Sequence, residues 1–203
     1  NGGEEAHLFA VCIKDLNQVY SGLDLQALMG GLLDRLRSEE DIALIISPAA
    51  AYFPIYIHKN GDVEVASELF YELLLSHCQE MNNRFLIIDP PMTLHERYLY
   101  RWIEDFRNRN ASISSYGAIY YPWLNYREQS FPPSASMAGL YVRIERDHPP
   151  IGIHWPPGNI PLEGVTHAEI ELEWNESEKL SQNSINPLVV QPGRGIVPLG
   201  VRT

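Results

Sequence analysis

The groups in this chain that could do chemistry are seven histidines, two cysteines and a few carboxylates beside apolar runs. Hydrolysis needs a nucleophile held by a base, and metal chemistry needs several ligands converging on one ion. The histidines are His7, His58, His77, His95, His148, His154 and His167, and none forms an i, i+4 pair. No His-Glu-x-x-His, Cys-x-x-Cys or Gly-x-Ser-x-Gly run occurs, so neither a zinc site nor a nucleophile elbow is predicted. His148 and His154, near Glu145 and Asp147, could take a metal adventitiously; a solvated loop is the simpler reading. Asp89 ends an apolar run, a place where α/β sheets carry catalytic carboxylates. Pro90-Pro91 follows it, which equally makes it a turn former. An α/β hydrolase-like enzyme with a site near Asp89, or a small-ligand-binding module, is therefore the rival reading to be tested. Ser134 follows Pro132-Pro133 and opens a helical pattern, so it reads as an N-cap. Gly193-Arg194-Gly195 offers an arginine to a phosphate but sits between two strand patterns, where a tight turn is expected. No catalytic residue, cofactor or metal site is assigned.

Composition narrows the partners. Lys plus Arg is 15 against 26 Asp plus Glu, a net charge of −11 over 203 residues. That sign repels phosphate backbones and anionic lipid, so neither direct nucleic-acid binding nor membrane association is expected. No run of about 18 apolar residues is present, so no membrane insertion is predicted. The first residues, Asn1 to Glu5, are polar and acidic and do not have the pattern of a signal peptide. Cys12 and Cys78 lie in apolar segments and read as buried free thiols; a disulfide between them has no spacing signature. The aromatic group Tyr116, Tyr120, Tyr121, Trp123 and Tyr126 could stack on bases or sugars, but Arg127 is the only basic residue among them. Core and subunit-contact roles fit it better.

The elements that would position these residues alternate between strand and helix. His7 to Ile13 reads as a buried strand. Leu25, Leu28, Met29, Leu32, Leu33 and Leu36 give a helix over 23–36, weakened at Gly30-Gly31. Ile42 to Ile46 is a strand stopped by Ser47-Pro48, and 49–61 is a loop with a short strand at Ile55 to Ile57. The periodicity predicts a helix over 63–81, a strand over 84–89, and a helix from a Thr93-x-x-Glu96 capping box to about Asn108. A strand over 115–121, a loop over 122–133 and a helix over 135–146 follow. Residues 147–164 are irregular. The alternation of Ala168, Ile170, Leu172 and Trp174 predicts a half-buried strand over 167–174. A polar helical turn at 175–181 and strands at 188–190 and 196–201 close the pattern. This order implies one α/β domain over 1–203 with a mostly parallel sheet flanked by helices.

Several ordered runs also resemble the tail sheath proteins of contractile phage tails and related injection systems. They are Ile87-Ile88-Asp89-Pro90-Pro91, Tyr120-Tyr121-Pro122-Trp123, Pro132-Pro133-Ser134 with Ala138-Gly139, and Pro192-Gly193-Arg194-Gly195-Ile196. The likeness is strongest from Ser112 to Thr203. His154-Trp155-Pro156-Pro157 departs from the basic, alanine-rich stretch usual there. The resemblance implies a subtilisin-like α/β core without protease activity. In that reading Asp89, Pro90, Tyr121, Pro122, Trp123, Pro133, Gly139, Pro192, Gly193, Arg194 and Gly195 are structural signature positions. It further implies a subunit polymerising with other sheath subunits around an inner tube protein, joined to a baseplate, in a virion tail or tail-like particle. The N-terminal arm and C-terminal tube-facing domain of the family are not recognisable in the sequence.

Overall fold

A computed structural model describes residues 7–9, 22–57, 63–92, 96–149 and 155–200. Its elements are α1 (Gly22–Ser38), β1 (Leu44–Ile46), β2 (Ile55–Ile57), β3 (Val63–Val65), α2 (Glu68–Met81), β4 (Phe85–Ile88) and α3 (Glu96–Arg109). They continue with β5 (Gly117–Tyr121), β6 (Leu124–Tyr126), β7 (Gln129–Phe131), α4 (Ser134–Asp147), β8 (His167–Ala168), α5 (Trp174–Gln182), β9 (Ile185–Gln191) and β10 (Gly195–Pro198).

The main sheet has the order β1-β4-β5-β9-β10. β1, β4, β5 and β9 run parallel, and only the β9–β10 pair is antiparallel. The expected mostly parallel sheet flanked by helices is therefore the observed one. Parallel strands are buried on both faces, which is why β4 and β5 are apolar at nearly every position. The pleat sorts their side chains. Leu86, Ile88 and Ile119 enter one core with Leu25, Met29, Leu74, Trp102, Phe106 and Leu180 from α1, α2, α3 and α5. Ile87, Ala118 and Tyr120 enter a second core with Met137, Leu140 and Ile144 of α4. Tyr120 and Tyr121 thus face opposite sides, as a strand requires; the Tyr120 hydroxyl lies 3.0 Å from that of Tyr141.

α1 buries Leu25, Met29, Leu33 and Leu36, one stripe at helical spacing. The Gly30-Gly31 pair lies off that stripe, with open space where a side chain would stand. Gly117 is the opposite case. A Cβ there would meet Leu75 Cδ2 at 2.8 Å and the Leu86 carbonyl oxygen at 3.2 Å, so glycine is what lets β5 lie under α2.

Four expectations need correcting. The helix expected over 63–81 begins only at Glu68, because Val63–Val65 pairs antiparallel with Ile55–Ile57. The loop expected over 122–133 holds the β6–β7 hairpin, and β6 also pairs with β8. The strand expected over 167–174 is real only at His167–Ala168. Beyond it Ile170 and Trp174 are exposed, and Trp174 already belongs to α5, whose first turn is held by a capping box between Glu173 and Glu176. Finally, β9 starts at Ile185 rather than 188, carrying Pro187 inside it. Pro187 stands opposite Tyr121, the last residue of β5, so the missing N–H falls where the parallel pairing ends. Of the strand expected over His7–Ile13, residues 7–9 are not in a strand, and its remaining residues with Cys12, Thr93 of the capping box and 201–203 lie outside the described residues.

Candidate functional site

The residues singled out in sequence fall into two groups in space. The first gathers at the carboxyl ends of β4 and β5. Asp89 leaves β4 with no exposed surface, and its Oδ1 accepts the backbone N–H of Ser134, the first residue of α4, at 2.8 Å. The Asp89 carbonyl oxygen accepts the Tyr71 hydroxyl at 3.3 Å. The next carbonyl, that of Pro90, accepts the indole N–H of buried Trp123 at 2.9 Å. Tyr52 packs edge-on against the Trp123 ring, 5.2 Å between centroids. The Tyr121–Pro122 peptide is cis, and Pro122, Pro132 and Pro133 are buried around it. Gly139 lies one turn further on, on the exposed side of α4.

Ser134 is therefore not the N-cap expected from sequence. Its side chain makes no capping bond, and Pro133 occupies the cap position. Proline brings no side-chain acceptor, so the orphan amide of Ser134 is satisfied from another strand, by Asp89. The helix dipole favours a carboxylate there. Burial works the other way and wins, pushing the Asp89 carboxyl from 3.8 up to about 6, with Ser134 opposing the rise. The Ser134 hydroxyl sits near enough to favour the carboxylate but is not aligned for a hydrogen bond, and Oδ2 has no aligned partner. Burial, with the Asp89 charge adding to it, also holds the Tyr71 phenol well above its ordinary range.

A carboxyl titrating near 6 is chemically suited to proton transfer. This one has no surface through which substrate could reach it. Nor does a described histidine join it. His77 lies against Arg84, His148 stacks on Trp155 at 4.4 Å, His167 bonds Thr166, and His7 approaches Glu39. A hollow of about 410 Å³ lies at the other end of the sheet, where Ser114 and Ser184 precede β5 and β9, and it is lined by Glu104, Arg107, Gln182 and Asn183. Ligand sites of open α/β sheets form at the carboxyl ends, so this hollow is on the wrong side for one. Among the described residues no group of His, Cys, Asp and Glu is placed to hold a metal, and no helix is long and apolar enough to cross a membrane. His58, His95 and His154 lie outside the described residues.

The second group is the exposed turn Pro192, Gly193, Arg194 and Gly195 between β9 and β10. Gly193 and Gly195 have φ of +76° and +90°, which glycine alone adopts without strain. The Arg194 guanidinium donates to the Asn159 carbonyl oxygen at 2.7 Å and to the Gln191 side chain at 3.2 Å. Asn159 in turn donates its N–H to Pro198, and Leu162 donates to Ile196. Arg194 thus clasps the irregular 155–166 stretch to the closing hairpin.

Sequence reading missed Arg84, which is almost fully buried. Its guanidinium donates to the carbonyl oxygens of Leu36, at 2.6 Å, and Glu39, and so caps the C-terminal end of α1. It also donates to His77 Nε2 at 2.7 Å. Arginine has no acceptor, so Nε2 must carry the lone pair and His77 is neutral. Burial first, then the Arg84 charge, lowers the His77 pKa accordingly. Beside them the Cys78 thiol is buried and free, pushed up to about 12 and chemically quiet.

No protein-family model matches this chain, and no curated protein matches it. Solved structures do. The helical sheath of the anti-feeding prophage in its contracted state is similar over 87% of this chain and 43% of that one, with a TM-score of 0.61 at 22% identity. A chain of the six-fold symmetrised anti-feeding prophage baseplate is similar over 68% of this chain and 35% of that one, with a TM-score of 0.53 at 23% identity. This chain has the fold of those proteins and spans less than half of their length.

Proposed function

We propose that this chain is the rigid core of a sheath subunit in a contractile phage tail or tail-like injection system. The observation that carries the reading is the shared fold across most of the chain with a contracted helical sheath. Its partners are then other sheath subunits, an inner tube protein and a baseplate, and its place is the tail or tail-like particle. Such a sheath works as a bistable assembly: stiff bodies exchange one set of mutual contacts for another, and the difference in contact free energy drives the tube. A buried parallel sheet with an apolar core on each face suits a body that must not deform while its contacts change. Open-ended, head-to-tail contacts build the helical array.

In this reading the protein is not an enzyme, and 1–203 acts as a single α/β core domain. Asp89, Pro90, Tyr121, Pro122, Trp123 and Pro133 hold the ends of β4, β5 and α4 together, while Pro192 to Gly195 pin the closing hairpin. The sealed Asp89 supports a structural over a hydrolytic role. The test is co-expression of the complete gene product with its neighbouring genes, followed by sedimentation. Particles carrying this protein should pellet together with a tube component; a protein that stays dispersed in their presence contradicts the proposal.

A further inference from the structure

One surface is explained neither by the core nor by the landmarks above. Residues 169–178, Glu-Ile-Glu-Leu-Glu-Trp-Asn-Glu-Ser-Glu, run along the outside between β8 and the middle of α5. Trp174 is 75% exposed there and Ile170 46% exposed, while Leu172 between them packs on the core. Glu173 and Glu176 are engaged in the capping box. Glu169, Glu171 and Glu178 have no ion-pair partner among the described residues. The segment holds no cation; Lys179, which follows it, stands over the Tyr100 ring at 4.2 Å.

Both parts of this arrangement are unfavourable in isolation. An exposed indole leaves a large apolar face in water. Uncompensated carboxylates in the same exposed segment repel one another and add to a chain already at −11. One kind of occupant relieves both: a flat cation that lies on an aromatic face and pairs with carboxylates. Arginine does this better than lysine, because its guanidinium is planar, weakly hydrated and able to hydrogen-bond at its edge while stacked. We infer that residues 169–178 form a docking surface for an arginine-bearing segment of a different protein, with a guanidinium on Trp174 and its neighbours on Glu169, Glu171 and Glu178. A second copy of this chain is a poorer occupant than a basic protein, since each body carries −11 and long-range repulsion opposes their approach at low salt. The inference stands apart from the sheath reading and survives if that reading fails.

The probe is a short synthetic peptide alternating Arg and Leu, with Lys-Leu and Glu-Leu versions as controls. It is titrated into the 203-residue chain at low salt and followed by amide chemical shifts. The surface predicts shifts centred on 169–178, binding in the order Arg, Lys, Glu, and weakening with added salt. Trp174→Ala should weaken Arg-Leu binding about tenfold. The Glu169→Gln, Glu171→Gln, Glu178→Gln triple variant should lose most of it. All these positions are exposed, so unchanged melting temperatures verify folding. Equal binding to wild type and Trp174→Ala, shifts spread over other acidic surfaces, or no binding at all would each overturn the proposal. So would self-association of the wild type that Trp174→Ala abolishes, because the occupant would then be a second copy.

Discussion

The carboxylate of Asp89, at the end of one strand, holds the first amide of α4, that of Ser134, at 2.8 Å. This bond ties the carboxyl end of β4 to the start of α4. Asp89→Ala leaves a buried N–H without an acceptor and opens a small void. It is expected to cost about 2–4 kcal/mol, read as a lower midpoint in urea.

The same carboxyl gives a signed pH dependence. Its folded pKa, about 6, lies above the ordinary 3.8. Between those values the folded state therefore binds more protons than the unfolded one. The stabilising contribution is full below about pH 3.8 and is lost as pH rises through 6, a change on the order of 3 kcal/mol. Asp89→Asn keeps an acceptor for Ser134 and cannot titrate. Subtracting its stability profile from that of the wild type should show this slope. A flat difference between pH 4 and 7 would remove Asp89 from the account.

His77 slopes the other way. Its folded pKa is depressed below 6.5, so the stability it contributes is present above pH 6.5 and is lost as pH falls toward the folded value. Arg84→Leu removes the donor that fixes its tautomer and uncaps α1. We expect a loss of about 2–4 kcal/mol and faster amide exchange in the last turn of α1. Exchange unchanged in that turn would mean that Arg84 is not its cap.

Much of this architecture was legible in the sequence. β4 and β5 announced themselves because strands buried on both faces read as unbroken apolar runs, and α1 because its leucines recur at helical spacing. The errors arose where one pattern serves two structures. Val65 fits the stripe of α2, but pairing of Val63–Val65 with Ile55–Ile57 satisfied the backbone there instead. Ile170 and Trp174 alternate as a strand would, yet the Glu173–Glu176 capping box starts a helix there. Asp89 and Ser134 were each noticed, but their pairing spans 45 residues and no local signal encodes it. Arg84 was invisible because nothing in its neighbours announces a buried guanidinium reaching back to Leu36.

The glycines make opposite predictions. Gly117→Ala forces Leu75 or β4 to move and should cost about 1–3 kcal/mol. Gly31→Ala and Gly139→Ala meet nothing within 4 Å on exposed helix positions and should each stabilise by about 1 kcal/mol. Differential scanning calorimetry of the three variants should place Gly117→Ala below wild type and the other two above it.

In the closing turn, Gly193→Ala and Gly195→Ala place a side chain at positive φ with ample room around it. The cost is then purely backbone strain, about 1–2 kcal/mol each. Arg194→Ala should cost less in global stability but should speed exchange of the Leu162 amide, whose bond to Ile196 lies under the clasp.

The central claim is that this fold is the repeating body of a contractile sheath. It is tested most directly by cryo-electron microscopy of particles purified from cells expressing the complete gene product with its neighbouring genes. The account predicts striated tubes in a long and a short form, with the five-stranded sheet and α4 recognisable in every repeat and unchanged between the two. Reconstructions in which this core is absent from the outer layer of the tubes, or is itself refolded between the two forms, would contradict it.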